Sequence, residues 1–136
     1  MRKRAVRVAL LVLFFIRPIA SVSPAYAQPL PPELTRPVND FANVIDAGSE
    51  AEIERRILEL KKASGDVVVV ATIDTFSPYA DIREYAVKMF ENRGRGIGDK
   101  GKDNGLLVLI AVKDRRVRAE VGYDLEQFIT KSESVV

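Results

Sequence analysis

The sequence predicts an α/β fold, a three-layer sandwich with a small mixed sheet. Three observations carry that reading. Val67–Ile73 and Leu106–Val112 are continuous apolar runs rich in β-branched residues, as expected of strands covered on both faces. A segment with helical periodicity lies between them, which makes a strand–helix–strand crossover joining parallel strands. A third strand returns after a short turn, so it runs antiparallel to the second. The predicted strands span about 66–74, 105–113 and 116–122, and the helices about 50–64 and 78–92.

The first 27 residues read as a cleavable secretory signal. Arg2, Lys3, Arg4 and Arg7 form a basic start. Val8–Ile16 is an apolar run of nine residues, suited to a signal core and far short of a membrane span. Ala25-Tyr26-Ala27 supplies the small-x-small pattern that places cleavage between Ala27 and Gln28. The expected product is exported, periplasmic or extracellular, with no transmembrane segment in the mature chain.

Residues 28–37 carry Pro29, Pro31, Pro32 and Pro37 and are expected as an extended linker. Val38–Ile45 is expected as an extended arm packed on the domain. Ser49 followed by Glu52 forms a capping box that starts the first helix. Ile53, Ile57 and Leu60 share one of its faces, and Gly65 stops it. Ser77-Pro78 has the form of an N-cap followed by proline at the first helical position. Ile82, Tyr85, Ala86, Met89 and Phe90 then make an apolar stripe that ends at Asn92-Arg93-Gly94. Glycines at 94, 96, 98, 101 and 105 mark a loop with unusual backbone demands. Lys113–Arg116 is a hairpin turn, Val117–Val121 the third strand, and Leu125–Ile129 the start of a further helix.

Composition narrows the chemistry. Of 21 basic residues, five lie in the signal and none of the 19 acids do, so the mature chain has 16 bases against 19 acids, a net of −3. The basic balance of the whole chain belongs to the signal and indicates no nucleic-acid partner. The sequence contains no Cys and no His. That excludes disulfides, a Ser-His-Asp triad, a Cys nucleophile, haem ligation by these residues and an ordinary zinc site. Carboxylates, amides and carbonyls remain, and these suit hard cations such as Ca²⁺ or Mg²⁺. No nucleotide is expected either: Gly94-Arg95-Gly96-Ile97-Gly98 follows a helix and precedes a strand, the reverse of a dinucleotide fingerprint.

Parallel strands at 67–73 and 106–112 sort the acids by sheet edge. Asp99, Asp103, Asn104, Asp124 and Glu126 fall at the edge of the glycine loop, with Asp40 placed to join from the arm. Those oxygens form a candidate site for a divalent cation. The alternative is local: Asp103-Asn104-Gly105 is also a turn sequence, and Asp124 and Glu126 are also acids at the start of a helix. Asp74, Ser77 and Asp81 lie at the opposite, carboxyl edge. Arg115, Arg116 and Arg118 are expected as a solvated basic edge.

Five segments in order resemble the TPM domain family: Val38-Asn39-Asp40-Phe41-Ala42, Gly96–Lys100, Asp103–Leu107, Asp114–Arg118 and Glu120–Glu126. The resemblance covers about residues 36–130 and places the domain at 38–130. It implies an exported or lumenal α/β module, a divalent ion (calcium in particular) and a membrane-associated protein partner. Members are linked to photosystem II repair and to receptor modulation. The resemblance also implies the alternative of a metal-assisted acid phosphatase. Where the family continues with an Asp after Thr130, this chain has Lys131, and 131–136 reads as a divergent, truncated tail. A missing helix there would leave one sheet face partly uncovered, and an inactive truncated fragment is the further alternative.

Overall fold

The computed structural model describes residues 27–129 and the strand 132–135. The expected signal, residues 1–26, lies outside them, as do Thr130, Lys131 and Val136 of the tail. The elements run β1 (Val38–Asp40), α1 (Ala47–Ser64), β2 (Val67–Ile73), α2 (Ile82–Glu91), β3 (Gly105–Ala111), β4 (Arg116–Val121) and β5 (Ser132–Val135). They build one sheet in the order β1-β2-β3-β4-β5. The first three strands are parallel, with Val38 opposite Val70 and Val70 opposite Val108. The β3–β4 hairpin is antiparallel, and β5 adds to β4 antiparallel. The α/β mixed sheet, the α2 crossover and the pairing of the three predicted strands are as the sequence predicts; β1 and β5 add a strand at each edge. The tail is not free: residues 132–135 form the outer strand.

Helix α2 supplies most of the core. Ile82, Tyr85, Ala86 and Met89 pack on Val69, Ala71 and Ile73 of β2 and on Leu107, Leu109 and Ala111 of β3. These strand residues alternate, so they share one sheet face. Leu107, Leu109 and Ala111 are fully buried. The other face is thinly covered. Helix α1 packs mainly over β1 and β2, and Ile57 is its one buried residue. Leu58 and Leu60 remain 49% and 46% exposed, and Leu106, Val108 and Ile110 are half-buried on a central strand.

Both helix starts differ from expectation. Asp46, not Ser49, caps α1, accepting from the amides of Gly48 (3.0 Å) and Ser49 (3.0 Å). Ser49 Oγ instead donates to Asp46 (2.6 Å). An ionised carboxylate accepts at a helix N-terminus more strongly than a hydroxyl, which moves the start back three residues. Helix α2 begins at Ile82, capped by Asp81, whose Oδ1 accepts from Glu84 N (2.8 Å). Ser77-Pro78 is a cis peptide in the turn before it, and the buried Tyr79 sits between the two. Leu125–Ile129 makes a single turn: the amides of Phe128 and Ile129 both donate to Leu125 O, each at 2.9 Å. No further helix follows among the described residues.

The Pro-rich segment is extended but docked along α2. Tyr79 Oη donates to Pro29 O (2.9 Å), Pro31 is buried, and Leu34 joins the core. Among the described residues no helix is long and apolar enough to cross a membrane.

Candidate functional site

The glycine loop returns to the sheet through approaches that leave no room for side chains. A Cβ on Gly105 would overlap Ile97 O, and one on Gly122 would overlap Asp103 O. The strand ends are therefore stitched by backbone: Gly122 N donates to Gly105 O (2.8 Å), and Asp124 N to Asp103 O (3.1 Å). Asp103 and Asp124 become neighbours at the edge where β3 begins and β4 ends. Both carboxylates are exposed.

Asn104 is buried and bonded at both ends of its amide. Its Oδ1 accepts from Asp99 N (2.9 Å), and its Nδ2 donates to Gly65 O (2.8 Å), tying the loop to the end of α1. It is a structural clamp, not an available ligand. The Asp99 carboxylate faces Lys61 (3.6 Å) and Lys102 (3.8 Å). Glu126 and Gln127 lie one turn beyond Asp124, and with Tyr123 and Asp124 they line an open hollow of about 410 Å³.

Asp40 does not join them. It sits at the opposite edge of the sheet, in register with Thr72. Its carboxylate accepts from Val44 N (3.1 Å), Ile45 N (2.8 Å) and the Thr72 hydroxyl. Burial raises its pKa, but these hydrogen bonds outweigh that and hold it below the ordinary 3.8. Asp40 closes the turn into α1 and has no face towards the glycine loop. Among the described residues, no three His, Cys, Asp or Glu side chains converge closely enough to hold a metal ion.

The carboxyl edge is also occupied by structural contacts. Asp74 pairs with Lys113 (2.9 Å). Asp114 accepts from Phe76 N (2.9 Å) and Thr75 Oγ1 (3.1 Å). Arg118 corrects the expectation of a solvated basic edge. Arg118 is buried, and it pairs at 3.0 Å with the equally buried Glu120. Their spacing of two residues on one strand face was the only sequence signal for that pair.

A mixed five-stranded sheet with an acid-bearing loop at one edge defines an α/β sandwich module. The family model described as the TPM domain matches residues 38–134, and the chain belongs to the TPM domain family. The match extends into the expected tail. The chain is similar to the solution NMR structure of the N-terminal domain of a protein from P. gingivalis, at 27% identity and a TM-score of 0.61, with 71% of this chain covered. It spans 59% of that chain's length. No curated protein matches it.

Proposed function

We propose that this chain is an exported, non-catalytic TPM-domain module that binds a divalent cation, calcium or magnesium, and a membrane-associated protein. The observation that supports the cation is the backbone pairing of Asp103 with Asp124. It sets two exposed acidic residues side by side in the backbone, on a frame fixed by Gly105 and Gly122. A calcium ion takes six to eight oxygens, so two carboxylates with main-chain carbonyls and water make a weak site, of the order of 10⁻⁴–10⁻³ M. Export rests on the signal pattern ending at Ala27, with Gln28 as the mature N-terminus; mass spectrometry of the secreted protein checks that residue directly.

Calcium titration of the purified protein tests the site. At about tenfold excess over the dissociation constant, a native-state ligand adds about 1.4 kcal/mol, which raises the thermal midpoint of a domain this size by about 5 °C. Asp103→Ala with Asp124→Ala removes the rise. No rise at millimolar calcium, or the same rise in the double variant, overturns the site.

A further inference from the structure

The segment that follows the expected cleavage point is tied to the domain almost at once. Pro29 O, two residues beyond Ala27, accepts from Tyr79 Oη (2.9 Å). Pro31 is buried. Leu34 lies in the core, and Asn92 bonds both its N (2.9 Å) and its O (3.1 Å). Gln28 therefore opens a strap that is fastened at Pro29, Pro31 and Leu34. Two residues of extended chain span at most about 7 Å, so Ala27 cannot stand far from the domain surface. Ala27 and Gln28 are themselves exposed, but exposure does not make a bond cleavable. A peptidase takes its substrate as an extended strand, with residues on both sides of the cut. On the far side of this cut, those residues belong to the strap. The bonding of the backbone that must be lifted decides access.

We infer that the signal is cut before the strap docks, and that the folded domain withholds the Ala27–Gln28 bond from the peptidase. Chain order favours this sequence of events. Tyr79 and Asn92 stand 50 and 58 residues downstream of their partners in the strap. At roughly 5–20 residues per second they emerge on the order of 3–12 s later. During that interval the junction is open. Once α2 has formed, cleavage draws only on molecules whose strap has lifted, and their number falls with each anchor that must break. The inference rests on the reading of residues 1–27 as a cleaved signal and adds the order of its steps.

The probe is a purified signal peptidase in detergent micelles, acting on the full uncleaved chain after refolding. A second chain carries about eight glycine and serine residues inserted between Gln28 and Pro29, which sets the cut about 15 Å from an intact strap. Mass spectrometry identifies the new N-terminus. The refolded parent is expected to be cut at least about tenfold more slowly than the spacer chain. Tyr79→Phe with Asn92→Ala speeds cleavage of the parent, and thermal melts confirm that this variant folds. In a Leu109→Asp background, where a charge in the fully buried core unfolds the domain, parent and spacer chains are cut alike. Equal rates for the refolded parent and the refolded spacer chain overturn the inference and leave the export reading standing. No cut between Ala27 and Gln28 in any chain, the unfolded ones included, overturns the export reading and this inference with it.

Discussion

Asn92 holds the Leu34 peptide at both ends: its Oδ1 accepts from Leu34 N (2.9 Å) and its Nδ2 donates to Leu34 O (3.1 Å). The pair is 58 residues apart and buried. It fastens the Pro-rich segment to the C-terminal end of α2. Asn92 also adopts a left-handed conformation, φ 42°, which Asn tolerates better than most residues. Asn92→Ala therefore loses two buried hydrogen bonds and disfavours the cap. The expected cost is about 2–3 kcal/mol in urea denaturation, with faster proteolysis of residues 29–34.

Leu106 and Leu107 are adjacent on β3 and face opposite sides of the sheet. Leu107 is fully buried under α2, whereas Leu106 is half-buried on the face that α1 leaves open. Truncating a side chain costs most where packed neighbours surround it and a cavity remains. Leu107→Ala should cost about 3–4 kcal/mol and Leu106→Ala about 1–2 kcal/mol. Equal losses in denaturant melts would show that the second face is covered in solution.

Asp40 contributes an acid limb to stability. Its pKa in the fold lies below the unfolded value of about 3.8, so the folded state favours the ionised form. That contribution is fully present above pH 4 and disappears as pH falls through the folded value. Asp40→Asn should be less stable than the parent by about 1 kcal/mol at neutral pH. The difference should close as pH falls below the unfolded value of about 3.8 and through the lower folded value. A gap that does not narrow on acidification would mean that Asp40 acts through shape and not charge.

The layers and the order of the three inner strands were legible because apolar runs and glycine stops report burial directly. Val67–Ile73 is apolar on both faces and is in fact central, between β1 and β3. The helix starts were not, because Asp46 and Ser49, or Asp81 and Ser77, are all competent caps, and only tertiary packing selects between them. β5 was invisible: four residues of Ser, Glu and Val give no strand run of their own and pair only because β4 offers an edge. At the site, topology correctly brought Asp103 to Asp124. It misplaced Asp40, because three residues of β1 point the arm at the carboxyl edge. Asn104 was correctly placed, but its amide is consumed by Gly65 O and Asp99 N.

Gly122 and Gly65 separate two reasons for glycine, and the difference bears on the cation site. Gly65 caps α1 at φ 85° with open space where a Cβ would stand. Gly65→Ala costs only the left-handed conformation, about 1 kcal/mol. Gly122 has φ −68°, which any residue adopts, but its Cβ would overlap the Asp103 carbonyl. Gly122→Ala must push the Asp103 strand end away from Asp124, breaking the bond between their backbones. The expected cost is more than about 2 kcal/mol, measured by urea denaturation. Calcium should still raise the midpoint of Gly65→Ala by the parental amount and should leave Gly122→Ala unchanged. A full calcium response in Gly122→Ala would place the ion elsewhere than between Asp103 and Asp124.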